Sequence, residues 1–296
     1  MRKHVLGILL ATALLLAAVI PAAAITYGAV DSAHPFVGLV GFFDENGNWL
    51  WRCSGTLLSP TVFLTAGHCT SPDPEIGTPA FARLWFTETG EPVVLDPRFL
   101  DPDLECGDLD PNTWDGYPCE SDYYGTPIAN PYYQGIIVPD THDIGLVILE
   151  TPVYGLGYGQ LPNAGYLDAL ATRRGLQEVT FTSVGYGLND VYPESISYRV
   201  RYYAVSHLVS LQSALTDGYN IQTSNNPGNW PDDPDTPSGG TCFGDSGGPL
   251  FLTGTDVVVG ITSFGMSSSC SGTDFAYRTD SDSARAFLAS YGIPIP

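Results

Sequence analysis

The sequence predicts an all-β protein built from two closed sheets, with one short helix at its C-terminal end. Three observations carry this. The apolar runs are short and rich in Val, Ile, Phe, Tyr and Thr, which suits strands. Gly, Pro, Asn and Asp separate them at regular intervals, and such spacing marks a sandwich or barrels. The runs also fall into two groups of about six, which fits two closed sheets better than one.

The first group comprises "HPFVGLVGFF", "GTLLSPTVFLTAG", "FARLWF", "QGIIVP" and "DIGLVILE". A Gly-rich connection follows. The second comprises "EVTFTSVGYG", "SYRVRYYAVSHLV", "GYNIQTS", "GPLFL", "DVVVGITSFG" and "DFAYRTD". The division places one unit at residues 25–170 and a second at 171–296. The helix is expected in "SDSARAFLASYG", capped by Ser281 or Ser283, with Ala284, Phe287 and Leu288 on one face.

The chain has 296 residues, enough for one large domain or two small ones with sizeable cores. Residues 1–24 read as a secretory signal peptide. Arg2, Lys3 and His4 precede an apolar run from Val5 to Ile20, and Ala22-Ala23-Ala24 supplies small residues for cleavage. A secreted, extracellular protein is expected, with no membrane attachment after cleavage. The net charge is −21, from 11 basic and 32 acidic residues, and no lysine occurs after Lys3. Such a surface repels nucleic acid and anionic lipid, which excludes those partners.

Export makes disulfides the natural fate of the six cysteines. No C-x-x-C pair favours a metal, and order alone leaves the connectivity open. An acidic stretch at about 96–122 contains Cys106 and Cys119. Its carboxylates and carbonyls are calcium ligands by type, but EF-hand spacing is absent. No cofactor is therefore required, with calcium the one candidate.

The chemistry concentrates in three places. "TCFGDSGGPL" surrounds Ser246 with Gly244, Gly247 and Gly248, a composition that makes a poor core element and a good site. "LTAGHC" supplies His68 after a β-like run, and "THDIGLVILE" supplies Asp143 at the start of another. A neutral serine hydroxyl needs a base to take its proton, and imidazole titrates near neutrality. A carboxylate on the other ring nitrogen sets the tautomer and stabilises the imidazolium.

In these blocks the chain resembles the chymotrypsin/trypsin-like serine proteases. "TAGHC", "HDIGLVIL" and "GDSGGPL" match the family's three catalytic blocks in order, "CSGTLLSP" the strand before the histidine, and "ITSFG" the substrate-binding strand. The resemblance implies two six-stranded antiparallel β-barrels with the site in the cleft between them. It implies Ser246 as nucleophile, His68 as general base and then acid, and Asp143 as its orienter. The backbone N–H groups of Gly244 and Ser246 would form the oxyanion hole.

The family pattern also pairs Cys53 with Cys69 and Cys242 with Cys270, leaving Cys106 and Cys119 to close a loop in the acidic stretch. It puts Gly240 at the base of the primary specificity pocket, Thr241 on its wall and Gly265 at its entrance. Ser263 and Gly265 would pair with the substrate backbone. Without an aspartate at 240 an apolar residue before the cut is favoured, while Asp274 on the opposite wall would attract a basic one. The resemblance further implies that Ile25, once freed by signal peptidase, pairs its ammonium with Asp245.

The function expected is a secreted, monomeric serine endopeptidase acting on proteins or peptides. A non-catalytic binding protein on the same fold is the alternative from another class. A serine esterase is a third, though the order His, Asp, Ser is wrong for an α/β-hydrolase.

Overall fold

The computed structural model describes residues 25–87, 95–96, 117–118, 121, 123–170, 179–189, 191, 195, 197, 199–226 and 236–296. The signal peptide, Cys106, Cys119 and nearly all of the acidic stretch lie outside these residues.

Two closed six-stranded antiparallel barrels make up the fold, as expected. The first barrel runs in the order β2 (Val37–Phe43), β3 (Trp49–Ser59), β4 (Val62–Thr65), β9 (Gly145–Leu149), β8 (Tyr123–Ile128) and β5 (Phe81–Trp85), and β2 pairs with β5 to close it. A separate short pair joins β6 (Leu95–Asp96) to β7 (Tyr117–Pro118). The second barrel is β11 (Tyr202–Ser210), β10 (Thr180–Gly185), β13 (Pro249–Leu252), β14 (Val258–Gly265), β15 (Thr273–Arg278) and β12 (Asn220–Ser224), closed by β11 on β12. Closure gives every strand of each ring two neighbours.

The first strand, β1 (Ala29–Val30), belongs to neither closed ring. It adds to β11 of the second barrel. A buried ion pair holds this N-terminal segment, with Arg201 Nε donating to Asp31 Oδ2 at 2.8 Å. His34 Nδ1 lies 2.8 Å from the other carboxylate oxygen.

The expected strand in "QGIIVP" does not form. Those residues make an irregular loop with Ile136, Ile137 and Val138 exposed. Gly135 takes a positive φ and Pro139 offers no N–H to a ladder, so the run cannot pair along its length. The strand that takes its place is β8, whose "YYGTPI" has too few aliphatic residues to read as an apolar run.

The helix α2 (Asp282–Ser290) starts where expected. Ser281 caps it, accepting from the Ala284 N–H at 3.3 Å. Its buried face is Ala284, Phe287 and Leu288. This face joins one apolar cluster containing Leu57, Phe63 and Leu146 of the first barrel and Phe251 and Ile261 of the second. The barrels thus share a core, and the groove between their strand ends can hold a rigid site.

Candidate active site

His68 sits on α1 (Gly67–Thr70), one turn of helix that follows β4 directly. The turn packs against the backbone before β9. A Cβ on Gly67 would lie 3.0 Å from Ile144 N and 3.1 Å from His142 O. Glycine there lets the helix approach closely enough for two bonds to one carboxylate. The His68 backbone N–H donates to Asp143 Oδ1 at 2.7 Å, and Nδ1 lies 2.9 Å from Oδ2. Cys53–Cys69 ties the same turn to β3.

Asp143 is fully buried, whereas His68 keeps part of its ring accessible. Burial works against the imidazolium. The charge of Asp143 and its hydrogen bond outweigh that and raise His68 above its ordinary value. With Nδ1 committed to the carboxylate, Nε2 is left to exchange a proton. A third donor also reaches Asp143. Ser263 Oγ on β14 bonds Oδ2 at 2.5 Å. The sequence points Ser263 toward the substrate backbone only, and its side-chain role depends on the two barrels meeting.

Ser246 lies in the turn before β13, partly exposed, and its carbonyl accepts from Ser54 N at 2.8 Å. Gly244 and Gly247 hold φ of +94° and +78°, angles costly for other residues. A Cβ on Gly247 would overlap Thr65 Oγ1. Gly244–Gly248 also spells G-x-S-x-G, but a strand follows it, where the elbow of an α/β-hydrolase leads into a helix.

Beside Ser246 is a cavity of about 400 Å³. Thr241, Ser263, Gly265 and Asp274 are among the residues lining it, and Phe243 and Met266 add exposed apolar surface. Cys242–Cys270 braces its wall. Gly240 is buried behind that wall, bridged to Thr26 and packed on Asn225, and is not among the lining residues. Asp274 accepts from the Thr241 N–H at 2.8 Å and its hydroxyl at 2.5 Å. Burial pushes its carboxyl up to about 6 in spite of these bonds.

Asp245, next to Ser246, is fully buried and is not among the residues lining the cavity. Its oxygens accept from Gly187 N at 2.7 Å and Cys242 N at 2.9 Å. Ile25 is buried against Val200, Tyr202 and Ala204. Among the described residues no hydrogen bond or ion pair joins Ile25 to Asp245, and in the uncut chain the Ile25 nitrogen is a peptide nitrogen. The only His/Cys/Asp/Glu group close enough to hold an ion among the described residues is Cys53, His68 and Cys69, and its sulfurs are spent in the disulfide.

The family model for trypsin matches residues 128–287, more than half of the chain. The chain belongs to the trypsin family. The match takes in Asp143, Ser246 and the whole second barrel, and stops short of His68. The solved structure of HL collagenase extends the likeness of fold to the first barrel. At 15% identity it superposes with a TM-score of 0.58, over 91% of this chain and 98% of that one. No curated protein matches at the sequence level. Membership of the trypsin family makes the chain a serine protease by descent, and among the described residues no helix is long and apolar enough to cross a membrane.

Proposed function

We propose that the protein is a secreted serine endopeptidase that cleaves peptide bonds through Ser246, His68 and Asp143. The observation that carries this is the triple engagement of the buried Asp143, by the His68 N–H, the His68 ring and the Ser263 hydroxyl, beside a cavity that Ser246 lines. His68 Nε2 takes the Ser246 proton as the oxygen attacks the scissile carbonyl, then returns it to the leaving amine. Water repeats the cycle to release the acyl group. The Gly244 and Ser246 amides receive the oxyanion, each such donor contributing roughly 3 kcal/mol.

An apolar side chain before the cut suits the cavity. Phe243 and Met266 supply apolar contact. Asp274 gives a second preference, for a basic side chain, once its carboxyl ionises. Ser263 and Gly265 on β14 offer backbone groups to an extended peptide. The alternative from another class, a binding protein on this fold, would not need a buried carboxylate held by three donors.

The test is a fluorophosphonate probe on the secreted protein, with S246A as control. Labelling of the wild type alone, together with cleavage of casein, is the expected result. A folded wild type that takes no label would leave the binding-protein reading in its place.

A further inference from the structure

Strand β3 sends two neighbouring side chains of one face, Arg52 and Ser54, across to the second barrel. Ser54 Oγ donates to Gly244 O at 2.9 Å and accepts from Tyr186 N at 2.9 Å. Arg52 Nη1 donates to Tyr186 O at 2.9 Å, and Nη2 to Ser197 Oγ at 2.9 Å. Ser197 in turn donates to Gly187 O at 3.3 Å. Both side chains therefore grip the segment that faces the turn carrying Ser246.

One peptide group is central. The Tyr186 carbonyl takes the Arg52 bond, and the N–H of the same peptide, on Gly187, donates to Asp245 Oδ1. Cation, peptide and anion form a chain in which each bond polarises the next. The packing around it is close. A Cβ on Gly187 would lie 2.5 Å from the Asp245 carboxylate, and one on Gly244 would lie 3.5 Å from Arg52 Cζ. Arg52 is buried, and among the described residues its Nε has no hydrogen-bond partner. Such a cation is costly unless an anion compensates it. The charges that act on Asp245 are Arg52, which favours its ionised form, and Asp274, which opposes it.

We propose that Arg52 is a positioning residue for peptide hydrolysis: its guanidinium, set against Gly244 and linked to Asp245 through the 186–187 peptide, holds the Gly244 and Ser246 amides ready for the oxyanion without a free N-terminal ammonium. This rests on the protease reading of the site. An Ile25 ammonium, where processing frees one, is then not required for the counter-charge. Two supports agree. The charge of Asp245 counters the burial that pushes Arg52 down to about 10, and burial pushes Asp245 up to about 7 even with Arg52 in place. Without the guanidinium Asp245 takes up a proton more readily and the turn loses its anchor.

The experiment compares chains starting at Ile25 and at Ala23, and then R52M and R52K, by the rate of fluorophosphonate labelling and by kcat and KM on a peptide amide. Equal rates for the two starting points are expected. R52M should lose about ten- to a hundredfold in kcat with KM little changed, and R52K should recover part of it. A wild type that takes no label would overturn the protease reading and this proposal with it. A labelled wild type with an indifferent, folded R52M, or with an inactive Ala23 form, would overturn this proposal alone. Should R52M not fold, the comparison of starting points decides by itself, because it changes no side chain.

Discussion

Ser263 and Asp143 come from different barrels and meet in a hydrogen bond of 2.5 Å. The carboxylate that orients His68 is therefore completed by the second barrel, and its geometry depends on how the two barrels dock. A hydrogen bond to a charged group contributes about 1.5–3 kcal/mol. S263A should lower kcat by about ten- to a hundredfold with KM little affected. Steady-state kinetics on a peptide amide checks this, and a rise in KM alone would assign Ser263 to the substrate strand instead.

Asp274 predicts a preference that changes with pH. Its carboxyl is raised to about 6, so it is neutral below that value and charged above it. The ratio of kcat/KM for Arg over Phe before the cut should climb by about tenfold as pH rises through this range, equivalent to ~1.4 kcal/mol of added attraction. D274N should flatten the climb and keep the apolar preference. A ratio that rises equally in D274N would remove Asp274 from substrate choice.

Gly247 and Gly254 have nearly the same φ, +78° and +79°, and different surroundings. A Cβ at 247 meets Thr65 and Ser54, and at 254 it meets nothing within 4 Å. G254A should cost only the backbone strain, about 1–2 kcal/mol. G247A should lose clearly more and abolish probe labelling. Thermal unfolding of the two variants measures the difference, and equal losses would mean that the turn around Ser246 yields easily.

The Arg201–Asp31 pair is buried on both sides. Removing one partner strands the other, at about 3–5 kcal/mol. R201M should therefore lower the melting temperature substantially. Burial alone would raise Asp31, but His34 and Arg201 outweigh it and hold its carboxyl below 3.8. Its contribution is thus present above that pH and lost as pH falls further, through the lowered value. The stability gap between wild type and D31N should narrow in acid, and a gap that stays constant with pH would contradict the pairing.

The strand content, the helix cap at Ser281 and the candidate residues His68, Asp143 and Ser246 were legible because each has a local signature. Alternating apolar runs, a capping serine and glycines around a nucleophile are written in adjacent residues. The pairings of Cys53 with Cys69 and Cys242 with Cys270 followed from the family pattern and appear in the structure. β8 is not legible locally because "YYGTPI" has no apolar period, and its strand forms because β5 and β9 offer ladder partners on both sides. "QGIIVP" misled in the opposite way, since apolar residues do not pair where glycine and proline break the ladder.

The order of residues along the chain specifies which groups are available: an imidazole at 68, a carboxylate at 143, a serine hydroxyl among glycines at 246, strands enough for two barrels, and a strongly acidic composition. Which of them meet depends on how the two barrels close and dock. Ser263 reaches Asp143 across 120 positions and Arg52 reaches Tyr186 across 134, in each case between barrels. No local pattern specifies such contacts, because they arise from closing two sheets and burying a shared core. The energy that holds these polar groups in place comes from that burial, which removes water and leaves each donor and acceptor only the partners the fold supplies.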